Sequence, residues 1–144
     1  MLNYTVIGDG KQSVTFEWQY KLVPNVNIAQ MSFGSFRGRV YSTALKKVVR
    51  NGNITVHYAT RWVLLKKFLP GKDDAIYWDS VIATELMKLR FPVENDQKAK
   101  FTIKNVLIED KGFWFCLLRL SNGQSILDKV YLDVTAGMYF LYTE

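Results

Sequence analysis

Between Trp18 and Lys72 the chain has neither an aspartate nor a glutamate. The same stretch holds ten basic residues, Lys21, Arg37, Arg39, Lys46, Lys47, Arg50, Arg61, Lys66, Lys67 and Lys72, so all thirteen acids and the other nine bases lie outside it. The formal charge of +6 thus combines a strongly basic block with a mildly acidic remainder. A block of one sign adds self-repulsion that interspersed charges would avoid at equal solubility. It reads either as a solvated face neutralised by folding or as a surface meant to meet something acidic.

Other scarcities exclude whole chemistries. The single cysteine, Cys116, can form neither an internal disulfide nor a thiolate metal site, which suits a reducing compartment. The single histidine, His57, rules out a histidine metal cluster, and a Cys116/His57 dyad would need its nucleophile inside an apolar strand. Gly8-Asp9-Gly10-Lys11 lacks phosphate-loop spacing and reads as a turn; Asp73, Asp74 and Asp79, with Glu85 further along, match no calcium loop. No enzymatic activity, metal or cofactor is expected. No apolar run approaches the roughly 18 residues of a membrane span, and Met1 is not followed by a basic and then apolar leader, so neither a transmembrane segment nor secretion by a standard signal is expected.

With three prolines, 49% apolar and 15% aromatic residues, the chain is expected to fold as one domain, 1–144, around a substantial core. Ser13 to Val23 alternates with period two, placing Val14, Phe16, Trp18, Tyr20 and Leu22 on one face of a strand. The preceding NYTVI is expected to be its hairpin partner, and residues 25–38 an irregular connection broken by Gly34 and Gly38. In VYSTALKKVVRNG the residues Tyr41, Ala44, Leu45, Val48 and Val49 fall at helical spacing before an Asn51-Gly52 stop. HYATRWVLLKKFLPG likewise places Tyr58, Trp62, Leu65 and Leu69 on one helical face before Pro70-Gly71. Leu86 to Val93 reads as a strand that Pro92 confines to an edge or an end, Phe113 to Leu118 as a central strand, and Ser121-Asn122-Gly123 as a hairpin turn. Residues 127–134 fit either a strand or a short helix. The expected class is α+β: mainly an antiparallel sheet, with two or three short helices grouped together.

Two basic helices in succession would gather Arg37, Arg39, Lys46, Lys47, Arg50, Arg61, Lys66, Lys67 and Lys72 into a membrane- or nucleic-acid-binding patch. The loop SFGSFRGR offers Phe33 and Phe36 for bilayer insertion or base stacking, unless both cap the core. Trp18, Trp62, Trp78 and Trp114 are placed in the core.

The succession FEWQYKLV, FRGRVYSTALKKVV, HYATRWVLLKKFLPG, a lone YW, ELMKLRFPVE and GFWFCLLRLSNGQS resembles, in order and character from about Val14 onward, the matrix proteins of rhabdoviruses. The resemblance carries no diagnostic motif, and the chain lacks that family's basic N-terminal arm and its PPxY or PTAP sequence. It implies a small viral structural protein of the host cytoplasm and virion that self-associates, binds the acidic phospholipid inner face of a membrane and condenses nucleoprotein or RNA. The alternative expectation is a nucleic-acid-binding module using residues 18–72.

Overall fold

In the computed structural model, which describes residues 3–37, 40–58, 63–69, 72–77 and 80–136, strands dominate the chain. Their order is β1 (Asn3–Ile7), β2 (Val14–Trp18), β3 (Ile28–Arg37), β4 (Val40–Arg50), β5 (Asn53–Tyr58), β6 (Val63–Leu69) and β7 (Lys72–Tyr77). A helix α1 (Ser80–Arg90) follows, then β8 (Ala99–Ile103), a 3₁₀ turn (Ile108–Asp110), β9 (Gly112–Leu120) and β10 (Ser125–Thr135).

Six strands form one sheet in the order β1-β10-β9-β3-β4-β5, with β1 parallel to β10 and every other pair antiparallel. A second sheet is the antiparallel pair β2-β8, and β6-β7 is a separate hairpin. The two faces of β2 follow from its alternation, with Val14, Phe16 and Trp18 buried and Thr15 and Glu17 exposed. On the large sheet Met31, Phe33, Leu45, Trp114, Cys116, Leu118, Val130 and Leu132 face inward. The layers meet through rings: Phe33 stacks on Phe101 at 5.6 Å, Phe101 lies 5.6 Å from Trp114, and Trp18 lies 5.9 Å from Phe33. Such pairs add about 0.5–1.5 kcal/mol each beyond the area they bury.

The helix α1 contributes Met87 and, just past its end, Phe91, one turn apart and both buried, with Phe91 at 5.3 Å from Phe101. Its last turn closes with the Phe91 amide donating to the Met87 carbonyl before Pro92, which cannot continue the ladder. Lys88 and Arg90 in that turn complement the helix dipole. Arg90 reaches the 3₁₀ turn and pairs with the buried carboxylate of Asp110, whose Oδ2 also accepts the Leu107 amide at 2.8 Å. The Trp114 Nε1 donates to the Asp110 carbonyl at 2.9 Å, tying β9 to the same corner.

The α+β expectation is corrected: this is a β sandwich, and the helical and extended segments are exchanged relative to expectation. VYSTALKKVVR is β4 and VLLKKFL is β6, while the segment read as an edge strand is largely α1. NYTVI is a strand, but it pairs with β10 at the far end of the chain and not with β2. Residues 28–37, expected to be irregular, form β3 in the middle of the large sheet. The strand β9 and the turn at 121–123 stand as expected, and residues 127–134 are strand. Gly38, Trp62, Pro70, Gly71, Trp78 and Asp79 lie outside the described residues.

Candidate functional site

Alternation gives the large sheet a second face, turned away from β2 and β8, and the registers place its residues in rows across the strands. One row runs Ser125, Arg119, Gln30, Val48, Thr55; the next runs Leu127, Leu117, Ser32, Lys46, His57. A third brings Lys129, Phe115 and Gly34 together, and beyond it Tyr131 lies beside Phe113. Neighbouring strands are about 4.8 Å apart, so residues within a row touch or nearly touch.

The face has two chemically different halves. At one end the rings of Phe113 and Tyr131 meet edge-on at 5.0 Å, and Phe36 meets Phe115 edge-on at 5.4 Å. Lys129 holds its ammonium 4.9 Å from the Phe113 centroid and 6.0 Å from that of Phe36, within cation–π range. Phe115 is buried while Phe36, Phe113, Leu117 and Tyr131 are half-buried. At the other end Arg119, Lys46 and Arg50 are exposed beside the exposed His57. Among the described residues the strand positions on this face include one acid, Asp133 at the β10 margin, and Lys111 pairs with it at 3.4 Å.

The predicted patch is divided by the fold. Lys46 and Arg50 are on the outer face, whereas Lys47, next in sequence to Lys46, points into the core and is 1% exposed. Arg37 ends β3, Lys66 and Lys67 lie in β6, and Lys72 opens β7; Arg39 and Arg61 lie outside the described residues. Phe33 is a core ring, so it is not an insertion tip, and Phe36 belongs to the aromatic half of the outer face. His57 and Cys116 lie on opposite faces of the sheet, which removes the dyad geometry. Arg119 and Lys129, absent from the predicted set, join Lys46 because β9 and β10 return beside β3.

Lys47 has a structural task. Its Nζ donates to Asp96 Oδ1 at 3.1 Å, to the Asp96 carbonyl at 3.2 Å and to the Lys98 carbonyl at 3.1 Å, which uses all three of its protons. Partial desolvation pushes the Asp96 carboxyl up, but hydrogen bonds from Lys47 and the Lys98 amide, with the Lys47 charge, outweigh it and hold the group below its ordinary value. A cleft of about 290 Å³ beside β2 and β8 is lined by Thr15, Lys47, Glu94, Lys100, Thr102 and Lys104 among others. With Lys47 saturated and Thr15 bonded to Thr102 at 2.8 Å, its polar wall is largely self-satisfied.

The strand order carries a specific pattern. The last two strands lie beside the third, and the fourth and fifth extend that sheet as added hairpin strands, while the second strand pairs with the one preceding the 3₁₀ turn. Trp114, two residues before Cys116, bonds back to a backbone carbonyl upstream, as a tyrosine does at the corresponding corner of immunoglobulin sandwiches. The fold is that of a variable-type immunoglobulin domain. Solved structures with this immunoglobulin fold include the first Ig-like domain of human CD48, 15% identical, with a TM-score of 0.57 over 96% of this chain and 85% of that one. The extracellular domains of the voltage-gated sodium channel beta4 subunit, described in terms of cell–cell adhesion, are 11% identical, with a TM-score of 0.58 over 95% of this chain and 92% of that one. Murine CRIg is 11% identical, with a TM-score of 0.56 over 92% of each chain. No family model matches the chain, and no curated protein matches it in sequence.

This immunoglobulin architecture overturns the resemblance to rhabdovirus matrix proteins, because the two segments read as helices that carried it are strands, in a sandwich of the kind seen in the CD48 and sodium channel beta4 domains. With it fall the matrix role in assembly and budding, the acidic-lipid and nucleoprotein or RNA partners, and the virion and host-cytoplasm location. The nucleic-acid-binding alternative falls too. The immunoglobulin sandwich departs from its own pattern at the intersheet bridge: Cys116 on β9 has no cysteine on β2, and Phe16, Trp18, Phe33 and Phe101 fill the space between the layers. The signal of the fold in the sequence is an aromatic residue, Trp114, two residues before Cys116 in an apolar strand.

Proposed function

We propose that this chain is an extracellular recognition domain that docks an acidic protein surface through the outer face of its large sheet, and that it binds without catalysing a reaction. The observation that carries this reading is the pairing of a half-buried aromatic cluster, Phe36, Phe113 and Tyr131, with exposed Arg119, Lys46, Arg50 and Lys129 on one sheet face. An apolar centre supplies burial energy, while rim cations supply specificity and speed of encounter. Interfaces of this kind are enriched in Tyr, Phe and Arg. The extracellular roles described for the sodium channel beta4 domains, which share the fold, support the location.

A second copy of the chain is disfavoured as the partner on this face. A two-fold contact presents the same patch from both sides. Four cations would then meet four cations, with Asp133 already paired to Lys111 and no other acid on the face among the described residues to compensate. Like-charge juxtaposition of that kind costs several kcal/mol.

The reading is tested by titrating the full chain with a poly(Glu,Tyr) copolymer, an acidic and aromatic probe, against poly(Lys,Tyr). The expected result is binding of the acidic copolymer alone, weakening as salt rises and reduced at least tenfold in Lys46→Glu/Arg119→Glu. Equal binding of both copolymers, or an unchanged affinity in the double variant, would overturn it.

A further inference from the structure

We infer that Asn53 is a site of N-linked glycosylation, and that the glycan caps the exposed edge of the large sheet. Asn53-Ile54-Thr55 is an asparagine acceptor sequence of the N-x-[Ser/Thr] kind. Such a triplet is informative only where the fold presents it, and here it does. Asn53 follows a tight turn whose residues Asn51 and Gly52 have φ of 51° and 79°, the left-handed pair of a two-residue hairpin. Asn53 and Thr55 are both exposed and, two residues apart on a strand, project from the same face. Among the described residues none hydrogen-bonds the Asn53 carboxamide. The second such triplet, Asn3-Tyr4-Thr5, sits differently: Asn3 is paired with Tyr131 in the parallel ladder, and Tyr4 packs on Phe16 at 5.0 Å.

The location gives the modification a purpose. The strand β5 ends the sheet order, so one side of its backbone pairs with no described strand. Its sequence, NITVHY, contains no lysine or proline, the residues that ordinarily blunt such an edge. A hydrated glycan at its first residue would block edge-to-edge pairing with another chain. Asn53 lies opposite Arg50, while His57 lies opposite Lys46. Four residues of strand, about 13 Å, therefore separate the glycan from the Lys46 row, and three strand spacings, about 14 Å, separate β5 from Arg119 on β9, so Lys46, Arg119, Lys129 and the aromatic half stay open and Arg50 is the one docking cation beside the glycan.

In the transfer, the Asn53 carboxamide nitrogen attacks the anomeric carbon of a polyprenyl-diphosphate-linked oligosaccharide. A C–N bond forms, the anomeric C–O bond breaks, the polyprenyl diphosphate leaves with the bonding pair, and the amide gives up one proton. No electron acceptor is needed. The inference rests on the proposed extracellular location, and the test is arranged so that site and location fail separately.

The full chain is placed behind a cleavable leader and made in eukaryotic secretory cells, then treated with peptide-N-glycosidase in heavy-oxygen water and read by peptide mass spectrometry. Residue 53 is expected to appear as heavy-isotope aspartate. Thr55→Ser should keep the modification and Thr55→Ala should abolish it, with Asn3→Gln leaving residue 53 unaffected. Chain recovered from the secretory lumen or the medium with residue 53 as unmodified asparagine overturns the site, whatever the chain's native location and whatever the copolymer titration shows.

Discussion

The Nζ of Lys47, on the inward face of β4, lies 3.1 Å from the Asp96 Oδ1 in the segment that leads into β8. The contact joins the large sheet to the loop that positions the second one, and its two partners are unequally placed: Lys47 is 1% exposed and Asp96 about a third exposed. The two substitutions that break it should therefore differ. Asp96→Asn leaves a buried ammonium with carbonyl partners alone, and a loss toward the low end of the roughly 3–5 kcal/mol seen for broken buried pairs is expected. Lys47→Met removes the buried charge and keeps most of the volume, so the loss should be smaller. Urea melts of the two variants give the order directly, and a larger loss for Lys47→Met would contradict it.

The same pair sets an acid limb. Because the Asp96 carboxyl titrates below its ordinary value of about 3.9 when folded, the unfolded chain takes up the proton first as pH falls. The pair's contribution is complete above the unfolded value and is lost as pH falls through the folded one. The stability gap between the parent and Asp96→Asn should accordingly narrow below about pH 4, in melts recorded from pH 7 to pH 2.

Cys116 lies between the layers, 2% exposed, and burial, aided by the Asp128 charge against the opposing effect of Lys47, pushes its thiol up to about 12. It should resist iodoacetamide at pH 8 in the folded chain and react only on unfolding, so that the labelling rate follows denaturant as global stability does. The sign is opposite to that of Asp96. The neutral thiol is favoured in the fold, so its contribution is complete below the unfolded value of about 8.5 and declines as pH rises toward 12. Cys116→Ala should decline less steeply across that interval.

At the corner between β8 and β9, Arg90→Ala strands the Asp110 carboxylate, 3% exposed, without its cation, and should cost about 3–5 kcal/mol. Trp114→Phe keeps a ring in the core but removes the donor to the Asp110 carbonyl, and should cost about 1–3 kcal/mol. Denaturant midpoints with unchanged slopes would confirm that both act on the folded state. Equal losses would contradict the ranking.

Some of this fold is legible in the sequence, and what is hidden has identifiable causes. The alternation of β2 is unbroken, and the all-apolar run of β9 marks a central strand. In β4 the inward position that should be apolar is Lys47, and a bulge opposite Phe33/Gly34 places Ala44 out of alternation. Together they turn a period of two into something close to a helical one. The first turns of α1 contain Val81, Ile82 and Thr84, residues that favour strands, and Pro92 follows its end, so Leu86 to Val93 reads as a strand although Met87 and Phe91 keep helical spacing. The acid-free stretch was visible as charge, but its geometry was not. Of the nine predicted binding cations, the described side chains place Lys46 and Arg50 on the outer face; Arg119 and Lys129 join them from strands late in the chain, an arrangement set by sheet order.

The most direct test of the outer face as a docking surface is to map amide and methyl NMR shifts of the full chain while poly(Glu,Tyr) is added at low and at physiological salt. The account predicts shifts confined to the outer face, at Gln30, Ser32, Phe36, Lys46, Arg50, Phe113, Leu117, Arg119, Leu127, Lys129 and Tyr131, shrinking as salt rises, with the chain remaining monomeric. Shifts centred instead on Thr15, Lys100, Thr102 and Lys104, on the opposite side of the sandwich, would contradict it.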